Sequence, residues 1–411
     1  MSTAAATDRW LTDPIECGPA AGFGVYLHVP FCHHRCGYCD FATTAVGELP
    51  ADDVATLHRR YVAALRTDLG RQVAAGPAQA GRPDAGPPRP EPWPTVTSVF
   101  VGGGTPTLLA PEQLAAVVAA VGQELDFAPG AEITVECNPE TASEDLFGRL
   151  VEAGVTRVSM GAQSFVPEVL RTLERGHTPE RPLEAVAQAR AAGIGEVSLD
   201  LIYGTPGERD EDWRRTLEQA IAAGTDHLSA YALTLHANTP FGRRVRRGQL
   251  PAPDDDLQRG RFDLARELLG AAGFEHYELS NWALGSRRRS DHNVLYWRHG
   301  DYLGVGVGAH GHHDGRRWWS TRSTERYLEL VEGGASPVAG AEELDVQERA
   351  LERLLLGLRL REGLHPFDAP PIDPLALEDA MATGLVATAC GRLQCTEQGW
   401  FLLDEAVSRL A

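Results

Sequence analysis

The chain has 411 residues, 43% of them hydrophobic, and a formal net charge of −19. That length suits two or three domains rather than one core, and the acidity argues against nucleic acid as the main partner, because phosphate backbones demand basic surface. There is no run of 18 apolar residues, and the opening Met-Ser-Thr-Ala-Ala-Ala-Thr-Asp-Arg lacks a basic segment followed by an apolar one; neither a membrane span nor a secretory signal is expected, and the protein is read as cytoplasmic.

After an N-terminal extension, residues 1–23, β-rich runs alternate with helical patterns. Strands are expected at 24–30, 97–102, 131–136, 156–161, 195–201 and 226–232, and helices near 53–74, 111–125, 143–153, 167–175, 180–192 and 209–223. Such alternation gives an α/β fold of parallel strands with helices packed outside. Periodicity alone leaves open whether six units close partly into a barrel or spread as an open sheet. The Pro-, Gly- and Ala-rich stretch from Gly76 to Pro94 is an insertion within this domain, which is taken to span residues 24–335 with further strands at its end. Residues 336–411 read as a C-terminal module: an amphipathic helix near 346–361, a helix near 375–382, a short hairpin and a closing helix from about Gly399, similar to a winged helix. The module is not basic, so it carries no expectation of nucleic-acid binding.

The most informative motif follows the first strand. Cys32, Cys36 and Cys39 form CxxxCxxC, a spacing that lets three thiolates hold three irons of a [4Fe-4S] cube and leaves the fourth iron without a protein ligand. A zinc site completed by His33 or His34 is the alternative, although no second CxxC pair follows. The remaining cysteines, Cys17, Cys137, Cys390 and Cys395, are scattered, and Cys137 reads as a small buried residue.

Other unusual residues fall at strand ends, where parallel βα folds bind ligands. Gly102-Gly103-Gly104-Thr105-Pro106 follows the second strand and allows a backbone to approach a ligand closely, although such a turn alone is often only a tight connection. Glu136 ends the third strand, Gln163 the fourth, and Asp200 lies near the end of the fifth. The two carboxylates can accept hydrogen bonds from ribose hydroxyls or an ammonium group, or can simply cap helices. Gln163 and Arg175 can hold a ribose and a carboxylate; otherwise Arg175 is a charge favoured at a helix C-terminus. Two basic clusters, Arg243 to Arg247 and Arg287 to Arg289, are either carboxylate clamps or solvated patches.

With these residues in view, the chain resembles the radical S-adenosylmethionine superfamily, whose signature is CxxxCxxC with an aromatic, here Tyr38, before the last cysteine. Tyr-Leu-His-Val-Pro-Phe-Cys, Gly-Ala-Gln-Ser-Phe, Glu-Arg-Gly-His and Asp-Leu-Ile-Tyr-Gly-Thr-Pro are similar to its coproporphyrinogen III oxidase-like branch. The resemblance runs from about Tyr26 to the C-terminus and implies a partial (β/α)6 barrel with a small C-terminal domain over the mouth. It implies that Cys32, Cys36 and Cys39 ligate a [4Fe-4S] cluster, and that Tyr26, Tyr38, Gly103, Gly104, Thr105, Glu136, Gln163, Arg175 and Asp200 contact S-adenosylmethionine. No residue is assigned a catalytic role.

Two features separate the branches. The oxygen-independent coproporphyrinogen III oxidase has a further cysteine in a CxxxCxxCxC run, whereas Asp40 and Phe41 follow Cys39 here. Later, His292-Asn-Val-Leu-Tyr-Trp297 is HNxxYW, which resembles the heme-binding motif of the HemW family of heme chaperones. From the residues alone this run is a buried aromatic pair with a hydrogen-bonded histidine, or flat surface for a macrocycle beside an iron ligand. His299, His310, His312 and His313 lie nearby in sequence. The family resemblance implies heme held by His292, Asn293, Tyr296 and Trp297 and passed to heme-dependent proteins such as respiratory enzymes. It also suggests a homodimer and peripheral membrane contact. The alternatives are the radical decarboxylation of coproporphyrinogen III and a radical reaction on an unrelated substrate.

Overall fold

The computed structural model describes residues 22–82 and 91–411. The expected N-terminal extension lies almost wholly outside the described residues, as do Cys17 and part of the Gly76–Pro94 insertion. Six parallel strands form the heart of the fold: β1 (Phe23–Val29), β2 (Val96–Gly103), β3 (Phe127–Cys137), β4 (Arg157–Gln163), β5 (Glu196–Tyr203) and β6 (His227–Ala232). Each pairs with the next in parallel. All six stand at their expected places, β3 starting earlier than its apolar run suggested.

Side-chain alternation gives each strand two different faces. Val25, Leu27 and Val29 of β1, Val99 and Val101 of β2, Val158 and Met160 of β4, and Val197, Leu199 and Leu201 of β5 share one hydrophobic cluster. That cluster also takes in the apolar stripes of most connecting helices, α1 (Ala51–Ala75), α2 (Pro111–Glu124), α3 (Glu144–Glu152), α5 (Arg181–Ala192) and α6 (Asp210–Ala222), whereas α4 (Pro167–Thr172) places Val169 in a separate small cluster with Ile202 and Leu233. The intervening strand residues are polar or aromatic and line a single cavity, with every one of the six strands contributing. Six strands share a cavity only if their sheet is curled. Yet β1 and β6 do not pair with each other; each continues outward into further strands. The fold is therefore a partial barrel, which decides what periodicity left open.

On one side β9 (Asp301–Val305) adds parallel to β1, followed by antiparallel β10 (His310–His313), β11 (Arg316–Ser320) and β12 (Val338–Glu343). On the other, β8 (Asn281–Ala283) pairs antiparallel with β6 and then with β7 (Glu275–Glu278). Three further helices precede the last sheet strands: α7 (Pro240–Arg246), α8 (Asp255–Ala271) and α9 (Asp291–Trp297), with α10 (Thr324–Glu332) between β11 and β12. None of the described helices is long and apolar enough to cross a membrane.

The C-terminal elements are α11 (Val346–Gly357), α12 (Pro374–Ala382), the hairpin β13 (Val386–Ala389) and β14 (Arg392–Cys395), α13 (Glu397–Phe401) and α14 (Leu403–Leu410). Asp345 starts α11 by accepting from the amides of Gln347 and Glu348, while Glu348 reaches back to the Asp345 amide. Polar contacts tie these elements to the barrel. Arg298 meets the buried Glu362 at 2.7 Å, Arg359 meets the fully buried Glu278 at 3.3 Å, and Leu360 bridges to Glu278 through the backbone.

Two helices end sooner than their periodicity suggested. The helix expected to reach residue 361 stops at Gly357, because the chain must turn for Leu360 to join Glu278. The helix expected to reach residue 175 stops at Thr172, and Glu174 adopts φ 55°. A left-handed non-glycine residue is held only by its surroundings. Here the Glu174 carboxylate accepts from the Gly37 amide at 2.7 Å, and its carbonyl bonds to His34 Nε2 at 2.7 Å.

Candidate functional site

The cysteine loop is closed at its base by the backbone. Thr44 donates to Pro30 O at 2.7 Å and Val46 to Cys32 O at 2.9 Å. Glu174 pins its outer side. All three cysteines are free thiols. Cys32 Sγ lies 3.9 Å from the Thr105 hydroxyl, and Cys36 Sγ lies 4.0 Å from Arg175 Nη1. Burial pushes the Cys32 thiol up to about 11, only partly offset by the Thr105 hydrogen bond, and it raises Cys39 as well. Such thiols become thiolates when a cation shares their pocket. Among the described residues no three His, Cys, Asp or Glu converge on one point as a single ion requires; a cube needs no such convergence, since each sulfur takes a different iron. The donor set and the adjoining guanidinium fit an anionic iron–sulfur cluster.

The glycine turn adjoins this loop. Gly104 donates to Val29 O at 2.8 Å and Thr105 to Phe31 O at 2.7 Å. A Cβ on Gly103, at φ 116°, would fall 2.5 Å from the His28 ring, and one on Gly104 would fall 2.6 Å from the Phe31 carbonyl. The Gly103 amide donates to Glu136 Oε2 at 2.9 Å. Burial raises the Glu136 carboxyl to about 7, and burial also raises Asp200, although Ser159 donates to the latter at 3.0 Å. Beside them, His28 Nε2 bonds to the Ala42 carbonyl at 2.8 Å and must therefore donate, so its Nδ1 accepts from the Tyr26 hydroxyl at 2.9 Å. Burial holds His28 near 4, hence neutral.

Arg175 bridges the two regions. Its Nη2 donates to Gly161 O at 3.1 Å and to Asn138 Oδ1 at 3.2 Å, while its buried Nε has no protein partner among the described residues. Gln163, at φ 62°, is a second left-handed residue beside it. An unsatisfied guanidinium nitrogen, a side-chain-free glycine turn and carboxyls held above their usual range together suit a ligand carrying both a carboxylate and an ammonium group.

The lumen cavity measures about 790 Å³, within the roughly 300–1,000 Å³ range of small-molecule sites. Of the residues singled out from sequence, Tyr26, Gly103, Glu136 and Asp200 line it, and so do His292, Asn293, Tyr296 and Trp297. The three cysteines, Gly104, Thr105, Gln163 and Arg175 group instead around the loop. Tyr38 packs against the small apolar cluster that contains Val166, Val169, Leu173 and Ile202.

The HNxxYW run forms most of α9, capped by Ser290, whose hydroxyl accepts from the Asn293 amide at 3.3 Å. Glu132 accepts from the amides of Asp291 and His292 at 3.1 and 3.2 Å, and Arg157 balances its charge at 3.6 Å while also meeting Glu196 at 2.9 Å. Arg157, Ser98 and Gly24 belong to the N-terminal halves of their strands and Glu132 stands in register with Ser98, so α9 lies across that end of the lumen. His292 is wholly buried, stacked on Phe100 with ring centroids 5.4 Å apart. Its Nδ1 bonds to Ser98 Oγ at 2.9 Å and its Nε2 to the Tyr296 hydroxyl at 2.8 Å, and burial holds it near 3. The Arg359 guanidinium lies over the Trp297 ring at 4.1 Å.

Sequence reasoning missed the inward row of the strands: Phe100, Thr134, Arg157, Ser159, Ser198, His227 and Ser229 also line the cavity. A signal was available, because polar residues recur at every second position in strands whose other face is purely aliphatic. Of the second basic cluster, Arg288 meets Glu196 at 3.1 Å and Arg289 meets Glu275 at 2.7 Å, so these two are used within the fold.

A profile of the Radical SAM superfamily matches residues 89–220. Coproporphyrinogen III oxidase (HemN) from Escherichia coli, described as a radical SAM enzyme, superposes with a TM-score of 0.75 at 22% identity, covering 96% of this chain and 91% of that one, a likeness of fold. Curled sheet, cysteine loop and profile together define a radical SAM protein. Heme chaperone HemW of Mycobacterium tuberculosis is 43% identical over 393 residues, 95% of each chain, and heme chaperone HemW of Escherichia coli is 34% identical over 404 residues, 92% of this chain and 96% of its own. The chain belongs to the HemW family.

Proposed function

We propose that the protein takes up heme in its lumen and delivers it to heme-dependent proteins such as respiratory enzymes, carrying a [4Fe-4S] cluster and S-adenosylmethionine at the cysteine loop. One observation carries the reading: in a member of the HemW family, the HNxxYW residues and the carboxyls Glu136 and Asp200 open onto the same cavity. When bound, the cluster and S-adenosylmethionine supply one-electron chemistry at a sulfonium. Cys32, Cys36 and Cys39 would hold the cluster. Arg175, through its unsatisfied Nε, would take the cofactor's carboxylate, and Glu136 its ammonium. Gly103 and Gly104 leave room for that approach, and Tyr38 shields the loop. Within the lumen, Tyr296 and Trp297 offer flat faces to a macrocycle, and His292 fixes the Tyr296 hydroxyl. With this reading go a cytoplasmic location, a homodimer and peripheral contact with membranes.

Phe41 stands where the decarboxylating branch has its additional cysteine, which supports carriage over turnover. The test is anaerobic, on reconstituted protein offered heme and coproporphyrinogen III in parallel. A saturable Soret band that weakens in Trp297→Ala, with no protoporphyrinogen formed, is the expected result. Turnover of coproporphyrinogen with release of 5′-deoxyadenosine overturns the reading.

A further inference from the structure

Six histidines line the lumen cavity: His28, His227, His292, His299, His310 and His312. An iron ligand must offer a free nitrogen lone pair on a ring that a macrocycle can reach. Three of the six cannot do so without breaking buried hydrogen bonds. His28 is held by Tyr26 and Ala42, His227 by Ser198 at 2.8 Å and Tyr277 at 2.9 Å, and His292 by Ser98 and Tyr296. His299 Nε2 is taken by Glu352 at 3.1 Å. His312 is fixed through Nδ1 by Asp301 at 3.1 Å; its Nε2 has no partner among the described residues, but the ring is buried and closed in by the His299 ring at 4.6 Å, out of reach of a macrocycle.

His310 differs from the other five in its exposure and in having both nitrogens free. It is exposed, and neither ring nitrogen has a hydrogen bond among the described residues. Its ring stacks on Trp319, its antiparallel partner, with centroids 5.9 Å apart, which fixes the imidazole plane without consuming a nitrogen. Partial desolvation and the charges of Arg322 and Arg317 hold it below its ordinary range, so the lone pair is free at neutral pH.

Its neighbours complete a rim. Arg322 is exposed, has no carboxylate partner among the described residues, and donates to Asp40 O at 2.7 Å. Gly308 lies so close to both segments that a Cβ there would meet Ala42 at 2.7 Å and Arg322 at 3.7 Å. Between Asp40 and Ala42, Phe41 presents its ring to solvent at 62% exposure and lines the same cavity. This ring adjoins a free imidazole and a guanidinium without a carboxylate partner, so the three side chains share one edge of the cavity. Leu355 of α11 lines the cavity as a further exposed apolar side chain.

We infer that His310 supplies the axial nitrogen to the iron of an incoming heme, that Arg322 pairs with a propionate, and that Phe41 covers one macrocycle face. The inference rests on the heme reading above and specifies its iron ligand as a residue outside HNxxYW. The full-length reconstituted protein is titrated anaerobically with ferric heme, alongside His310→Ala, His292→Ala, His312→Ala and Arg322→Ala. His310→Ala loses the histidine-ligated Soret band, and free imidazole restores it. His292→Ala and His312→Ala keep that band, the former with weaker affinity. Arg322→Ala binds heme about tenfold more weakly, as loss of one charge-assisted hydrogen bond implies, but binds heme dimethyl ester as the parent does. An unchanged band in His310→Ala, or its loss in His292→Ala or His312→Ala with restoration by imidazole, overturns the assignment while leaving heme carriage intact. Absence of a saturable band in the unaltered protein overturns both.

Discussion

Replacing Glu136 with Gln tests the electrostatics of the lumen directly. The carboxyl sits beside Asp200, accepts from the Gly103 amide at 2.9 Å, and is raised by burial from an ordinary 4.5 to about 7. Below pH 4.5 it is protonated in both folded and unfolded chains and has no effect on stability relative to Gln. As pH rises from 4.5 towards 7 the unfolded chain ionises while the folded one resists, so stability is lost between those values and the loss levels off above about 7. A shift of that size corresponds to about 3 kcal/mol; because the side chain opens onto the cavity, screening reduces the expectation to roughly 1–3 kcal/mol. Glutamine keeps an oxygen for the Gly103 amide and cannot ionise. Urea midpoints of the parent and Glu136→Gln, measured from pH 4.5 to 8, should therefore separate in favour of the variant as pH rises. S-adenosylmethionine, whose ammonium would favour the ionised carboxylate, should close the gap at pH 8. A difference that stays flat with pH refutes the reasoning.

Cys36→Ser should abolish the brown absorbance of the reconstituted cluster while far-UV circular dichroism and heme titration stay close to the parent; joint loss of heme binding would mean that loop and lumen are not separable. Arg157→Met leaves Glu132 and Glu196 without their shared cation and should cost about 3–5 kcal/mol in urea denaturation, the usual effect of breaking a buried pair. Adding Glu132→Gln should recover part of that loss. Gly103→Ala forces a side chain into a left-handed site 2.5 Å from the His28 ring, so equilibrium dialysis should show weakened S-adenosylmethionine binding even where the chain still folds.

The strands were legible because their outer faces are runs of valine, leucine and isoleucine, and the helices because their apolar stripes recur at helical spacing. The cysteine loop was legible because its ligands lie within eight residues, Cys32 to Cys39. What was not legible depends on distant pairings. Glu132 and Arg157 read as ordinary charged residues, yet they meet the start of α9, which lies more than a hundred residues further on, and fix its place. The end of α4 is set by Glu174 bonding to Gly37, across 137 residues, a contact no local periodicity announces. The sequence left the iron ligand open between His292 and the histidines that follow it; only three-dimensional packing shows both nitrogens of His292 engaged. Phe41 entered the sequence argument as a missing cysteine, whereas its exposed ring makes it a feature in its own right.

Helix α9, lying across the N-terminal end of the lumen, has a consequence for traffic. With Glu132 holding its first turn and His292 wedged between Ser98 and Phe100, this end is built as a floor rather than a passage. Cargo admitted at the rim by Asp40–Ala42 and Arg322 would have to depart by the same doorway. Loading and unloading would then be mutually exclusive, and a receiving protein would have to come to that rim and compete for the iron there.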